Sequence, residues 1–99
     1  MVVIFASFYP KKDQVDQNKV KEILENMIQP TRSEKGNSKY DLFLSKNDNN
    51  EHTYHLFEIY ENQAAVDYHR TTNHYINYRK EIIKYIDKPI EVKILEQVK

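Results

Sequence analysis

The sequence predicts an α+β fold of the ferredoxin-like kind, with the element order β-α-β-β-α-β. Three observations carry this prediction. A strand-like run rich in β-branched residues stands at each end of the chain. An amphipathic stripe of helical period occupies residues 20 to 28. Two further strand-like runs flank the polar tetrapeptide NDNN.

The elements follow in chain order. VVIFASFY, residues 2 to 9, is a strand with apolar residues on both faces, and Pro10 ends it. Asp13 or Asp16 can cap a helix in which Val20, Ile23, Leu24, Met27 and Ile28 share one face. Pro30 tightens or kinks its last turn, and Gly36 is placed to close it in the left-handed conformation. Residues 39 to 45 and 53 to 60 read as a hairpin, because the side chains of residues 47 to 50 tolerate turn geometry. Asn62 caps a short helix with Ala65 and Val66, which Thr71-Thr72-Asn73 interrupts with a second set of capping side chains. The helix that follows aligns Tyr75, Tyr78, Ile82 and Ile86 until Asp87-Lys88-Pro89 stops it, and residues 90 to 98 form the last strand.

Composition limits the function. Ninety-nine residues make one domain, 1 to 99, and fifteen basic side chains balance fifteen acidic ones. No net field draws the chain to nucleic acid or to an anionic membrane. With no cysteine there are no disulfides, thiolate metal sites or cysteine nucleophiles. The N-terminal run has the length and flanks of a strand, not of a signal or a membrane span, so the expected setting is cytoplasmic. Helices cover only one face of a four-stranded sheet, yet the first and third strands are apolar on both. The uncovered face is expected to meet a second copy, giving a homodimer.

The stretch YHRTTNHYINYRK, residues 68 to 80, concentrates the polar chemistry. His52 and His55 fall on opposite faces of a strand, and His69 and His74 are five apart across a helix break. Neither spacing matches the i, i+4 pair that shares a metal ion, so no metal is expected. No G-x-S-x-G elbow and no phosphate-cradling glycine loop is present. Glu58 stands mid-strand on the face of Tyr54, Leu56 and Tyr60. It is either a buried carboxylate paired with Arg32 or Arg79, or a group that orients or deprotonates a ligand. His69, with its near-neutral pKa, is either structural or a pocket base.

Thr31, Arg32, Glu34 and Gly36 (T-R-x-E-x-G), Tyr40, then Phe57, Glu58 and Tyr60 (F-E-x-Y), Ala65 and His69 (A-x-x-x-H), and His74 together resemble the antibiotic biosynthesis monooxygenase family, in particular its quinol-monooxygenase-like members. Tyr60 stands where many members carry tryptophan. The resemblance implies a dimeric α+β barrel with a pocket between sheet and helices. It also implies oxidation of an electron-rich aromatic by O₂ without cofactor. His69 and Glu58 would be catalytic; Ser7, Arg32, Tyr60, His74 and Arg79 would contact substrate. Haem-degrading proteins share this layout, but the position of their axial histidine falls on Arg79, which cannot ligate iron. Two other activities fit the same pocket: isomerisation of a small phosphorylated carbonyl compound, and binding of a small ligand without turnover.

Overall fold

A computed structural model describes all residues, Met1 to Lys99. Its elements are β1 (Val2–Phe8), α1 (Gln14–Arg32), β2 (Asn37–Lys46), β3 (His52–Tyr60), α2 (Gln63–His69), α3 (Asn73–Ile82) and β4 (Glu91–Leu95). The four strands form one antiparallel sheet in the order β2-β3-β1-β4. The predicted β-α-β-β-α-β plan is therefore present, with its second helical segment split into α2 and α3. No helix is long and apolar enough to cross a membrane.

Local chemistry explains the boundaries. Asp13 is the N-cap of α1, its carboxylate accepting from the Val15 amide at 2.9 Å. Asn62 caps α2 through the Ala65 amide at 2.9 Å, and the Thr72 hydroxyl caps α3 through the Tyr75 amide at 3.3 Å. Thr71 and Thr72 also donate to the carbonyls of Tyr68 and His69, both at 2.7 Å, so the break between the helices is fully bonded. In the hairpin, Asn47 Oδ1 accepts from the amides of Asn49 and Glu51, and Asn50 takes a φ of 58°.

Two predicted ends shift. The last helix stops at Ile82, not Ile86, because the Lys84 and Tyr85 amides tighten onto carbonyls three residues back. Ile86 instead bridges Pro10, and the Asp87 amide donates to Tyr9 at 2.7 Å. The final strand ends at Leu95, not residue 98, because β1 pairs with it only from Val3 to Ser7.

Helices α1 and α3 cover the face that carries Phe8, Leu56, Tyr40 and Tyr54, with Val20, Leu24 and Ile82 packed against it. A smaller cluster of Ile4, Tyr60 and Val66 lies under α2. On the opposite face the His55 ring stacks on Phe5 with centroids 5.3 Å apart and bridges the hydroxyls of Ser7 and Ser45, each at 2.8 Å. No helix lies on that face, and Phe43 on β2 is 54% exposed.

Gly36 departs from its expected role: no residue but Asn50 has positive φ. Its constraint is contact, since a Cβ on Gly36 would stand 2.4 Å from the Cβ of Ala65 on α2. Glycine lets the α1–β2 turn approach that helix. Gly36→Ala should destabilise the fold by about 1–3 kcal/mol through overpacking, read as a lowered Tm. Adding Ala65→Gly should recover most of the loss; an unchanged Tm in Gly36→Ala would contradict this reading.

Candidate functional site

The site forms where the two apolar clusters meet. In register across the sheet, Glu58 lies between Tyr40 on β2 and Ile4 on β1. Its carboxylate is buried and accepts from the Tyr60 hydroxyl at 2.6 Å. The expected ion pair to Arg32 or Arg79 is not made. Arg32 instead donates to Asp41 at 3.0 Å and to the Tyr40 carbonyl at 3.1 Å, and Arg79 to the Tyr75 hydroxyl at 2.8 Å. Burial pushes the Glu58 carboxyl up to about 7, against the opposing pull of the Tyr60 hydrogen bond and Arg70; Glu34 adds a smaller upward push.

His69 ends α2 with its imidazole inside the protein. The rings of Tyr75, Tyr60 and Tyr40 surround it, with centroids 5.0, 5.3 and 6.1 Å away. Nδ1 meets Glu34 Oε2 at 2.7 Å, and His74 Nε2 meets the same oxygen at 2.6 Å. Nε2 of His69 has no partner within the chain. Burial lowers the His69 pKa and Glu34 partly restores it, so the ring favours its neutral form. The spacing argument against a shared site is thereby corrected. The break at residues 71 to 73 turns His74 back, and the ligating atoms of Glu34, His69 and His74 lie within 4.8 Å of one another.

His69 and Glu58 line one small cavity of about 50 Å³, with Ile4, Val66, Tyr75, Tyr78, Arg70 and Arg79 among its walls. Arg79 and Val92 also border an open groove of about 400 Å³ between α3 and β4, floored by Ile83, Ile86, Pro89 and Ile90. An aromatic ring needs about 150 Å³ in an apolar cavity. The inner space alone is too small for one, and Arg79 stands at its boundary with the larger groove.

The other expected contacts fall elsewhere. Ser7 points to the opposite face of the sheet, because alternate residues of β1 face opposite ways and Ile4 and Ala6 line the cavity. Arg32 is held at the sheet edge by Asp41. Tyr60 is fully buried and acts on Glu58 rather than lining the cavity. His74 borders a different groove, between α1 and α3. Glu34 reads in the sequence as a motif residue or an ion-pair partner of Arg32 or Arg79, yet it joins the two histidines.

With this geometry in view, comparison with known proteins is informative. Residues 1–81 match the family profile described as antibiotic biosynthesis monooxygenase. The chain belongs to that family. It is 37% identical over 94 residues to a Mycobacterium tuberculosis protein named "Putative monooxygenase Rv0793", covering 95% of this chain and 88% of the relative. The solved structure of Rv0793 superposes with a TM-score of 0.85 at 32% identity, covering 99% and 95% of the two chains. A Bacillus subtilis protein named "Putative monooxygenase YcnE" is 28% identical over 68 residues, covering 69% of this chain and 70% of the relative. A Nitrosomonas europaea structure from the same family, at 21% identity, superposes with a TM-score of 0.86 over both full chains, a likeness of fold.

The raised Glu58 pKa has a consequence for stability. Folded Glu58 keeps its proton to about pH 7, whereas a free carboxyl ordinarily loses it near 4.5. Between these values the folded state binds more protons than the unfolded state, so this group's contribution falls as pH rises and levels off above about 7. Glu58→Gln should therefore gain in Tm relative to wild type as pH rises from 5 to 7.5. A constant difference across that range would contradict a carboxyl held protonated by burial.

Proposed function

We propose that the chain is a monooxygenase of an electron-rich aromatic, of the quinol or polyphenol type, that uses O₂ and no cofactor. The observation that supports this most is the unpartnered Nε2 of His69, facing a cavity it shares with Glu58 inside a box of tyrosine rings. A phenol of pKa about 10 costs roughly 4 kcal/mol to ionise at neutral pH. A neutral imidazole with its far nitrogen on a carboxylate is suited to take that proton. Arg79, at the boundary of cavity and groove, supplies positive charge for the anion formed, and Glu58 accepts or donates a hydrogen bond according to its protonation.

The chemistry balances without an external reductant. The quinol anion passes one electron to O₂, and the radical pair recombines as a hydroperoxide. Loss of water then leaves a hydroxyquinone, so one oxygen atom enters the product and the other departs as water. The protein's part is to generate the anion and keep it dry.

The chain acts as a dimer in this reading, its helix-free sheet face meeting a second copy and the β4 edge lying across the partner. Phe43 and Leu95, both exposed, mark that face. Sedimentation should give twice the 12.0 kDa chain mass, about 24 kDa, at micromolar concentration; a compact monomer there would count against it.

A panel of hydroquinones tests the reaction. Oxygen uptake above the spontaneous rate is expected, with no turnover under anaerobic conditions, and His69→Ala should lower it roughly 10² to 10⁴-fold. Turnover of a phosphorylated carbonyl compound without O₂, or saturable binding of the panel with no product, would overturn the oxygenase reading. Full activity in His69→Ala would overturn the assignment of the base.

A further inference from the structure

We propose that Glu34, His69 and His74 form a binding site for a divalent transition-metal ion of the Zn²⁺ or Co²⁺ class. The site joins three separate segments: the α1–β2 turn, the end of α2 and the start of α3. Its donors are Nδ1 of His69, Nε2 of His74 and the Glu34 carboxylate, all within 4.8 Å of one another. The ion would sit on the Nδ1 side of His69, which places the ring proton on Nε2, so the metal-free chain is the form that the oxygenase reading uses.

Three features carry it. First, the Glu34 side chain is 5% exposed, and no lysine or arginine pairs with it. No cationic Lys or Arg stands beside this buried carboxylate, and a bound cation would supply the missing partner. Second, Glu34 Oε1 is buried without any hydrogen-bond partner, so the carboxylate whose Oε2 meets both imidazoles keeps a free oxygen. A buried oxygen of this kind calls for an occupant. Third, an ion can get in. The His74 side chain is 24% exposed and borders an open groove of about 250 Å³ between α1 and α3, with Asn26, Asn77 and Glu81 on its walls.

The geometry needs little change. Ion bonds of about 2.0–2.2 Å to nitrogen and oxygen place neighbouring donors roughly 3–3.5 Å apart. The two imidazole nitrogens now stand 2.7 and 2.6 Å from one carboxylate oxygen, so shifts of about an ångström open the position as the ring protons move to the far nitrogens. Two imidazoles and one carboxylate select zinc, cobalt, nickel or ferrous iron over magnesium and calcium, which prefer oxygen-only sets. Carboxylate and imidazoles bind the ion only in their unprotonated forms, so protons compete with it and binding weakens as pH falls.

The test uses the untagged full chain, washed with chelator and dialysed. Zn²⁺ alone, followed by calorimetry at pH 7.5, should bind at one ion per chain and raise the Tm. Glu34→Gln and His74→Ala should each weaken binding by more than the roughly 10- to 100-fold that loss of an outer-shell partner costs, while His52→Ala leaves it unchanged. Co²⁺ gives a readout that needs no variant: in wild type it should broaden the imidazole signals of His69 and His74 and spare those of His52 and His55. Absence of saturable binding overturns the proposal. So does binding that survives in both Glu34→Gln and His74→Ala, or cobalt broadening centred on His52 or His55. Since oxygen uptake is not among these readouts, failure here and failure of the oxygenase reading are separable.

Discussion

A single carboxylate oxygen receives two imidazoles, and the candidate site depends on that convergence. Glu34 reaches His69 and His74 from the turn between α1 and β2. Without it, the two rings would have no common partner across the helix break, and His69 could turn either nitrogen toward the cavity. With it, Nδ1 is committed and Nε2 is left for a ligand. The surrounding sequence serves this contact. Gly36 allows the turn to come within van der Waals reach of Ala65, and the Thr71 and Thr72 hydroxyls satisfy carbonyls that the break would otherwise leave bare.

The two carboxylates near His69 are handled differently, and the contrast separates their roles. Glu34 is held by imidazoles, which can donate to it as a pair. Glu58 has only a tyrosine hydroxyl and a more distant Arg70, so burial dominates and its proton is retained to about pH 7. One acid orients the candidate base; the other is poised to exchange a proton in the range where the protein would operate. The buried tyrosines add to the same effect: burial raises Tyr40, Tyr60 and Tyr78, keeping these hydroxyls neutral and the pocket free of further charge.

Most of the fold was legible because periodicity and capping are local. The stripe of Val20, Leu24 and Met27, the caps at Asp13, Asn62 and Thr72, and the inward face of β3 all stand as the sequence implied. The site was legible only in part, because convergence is not local. His69 and Glu58 do share a cavity. The five-residue gap between His69 and His74 suggested divergence, yet the break between the helices reverses the second ring. Ser7 and Arg32 were placed by analogy with a motif, and strand alternation and the neighbouring Asp41 send them elsewhere. Glu34 was hidden because an acid beside an arginine reads as an ion pair, and only tertiary structure shows that Arg32 has taken Asp41 instead.

The most direct measurement of the account is the tautomeric state of the histidines, read from nitrogen-15 and proton spectra of the imidazoles. The account predicts His69 protonated at Nδ1 with Nε2 unprotonated, the Nδ1 proton shifted far downfield by its carboxylate partner, and that signature lost in Glu34→Gln. A His69 protonated at Nε2, or one whose spectrum is indifferent to Glu34, would contradict the claim that this carboxylate sets the site.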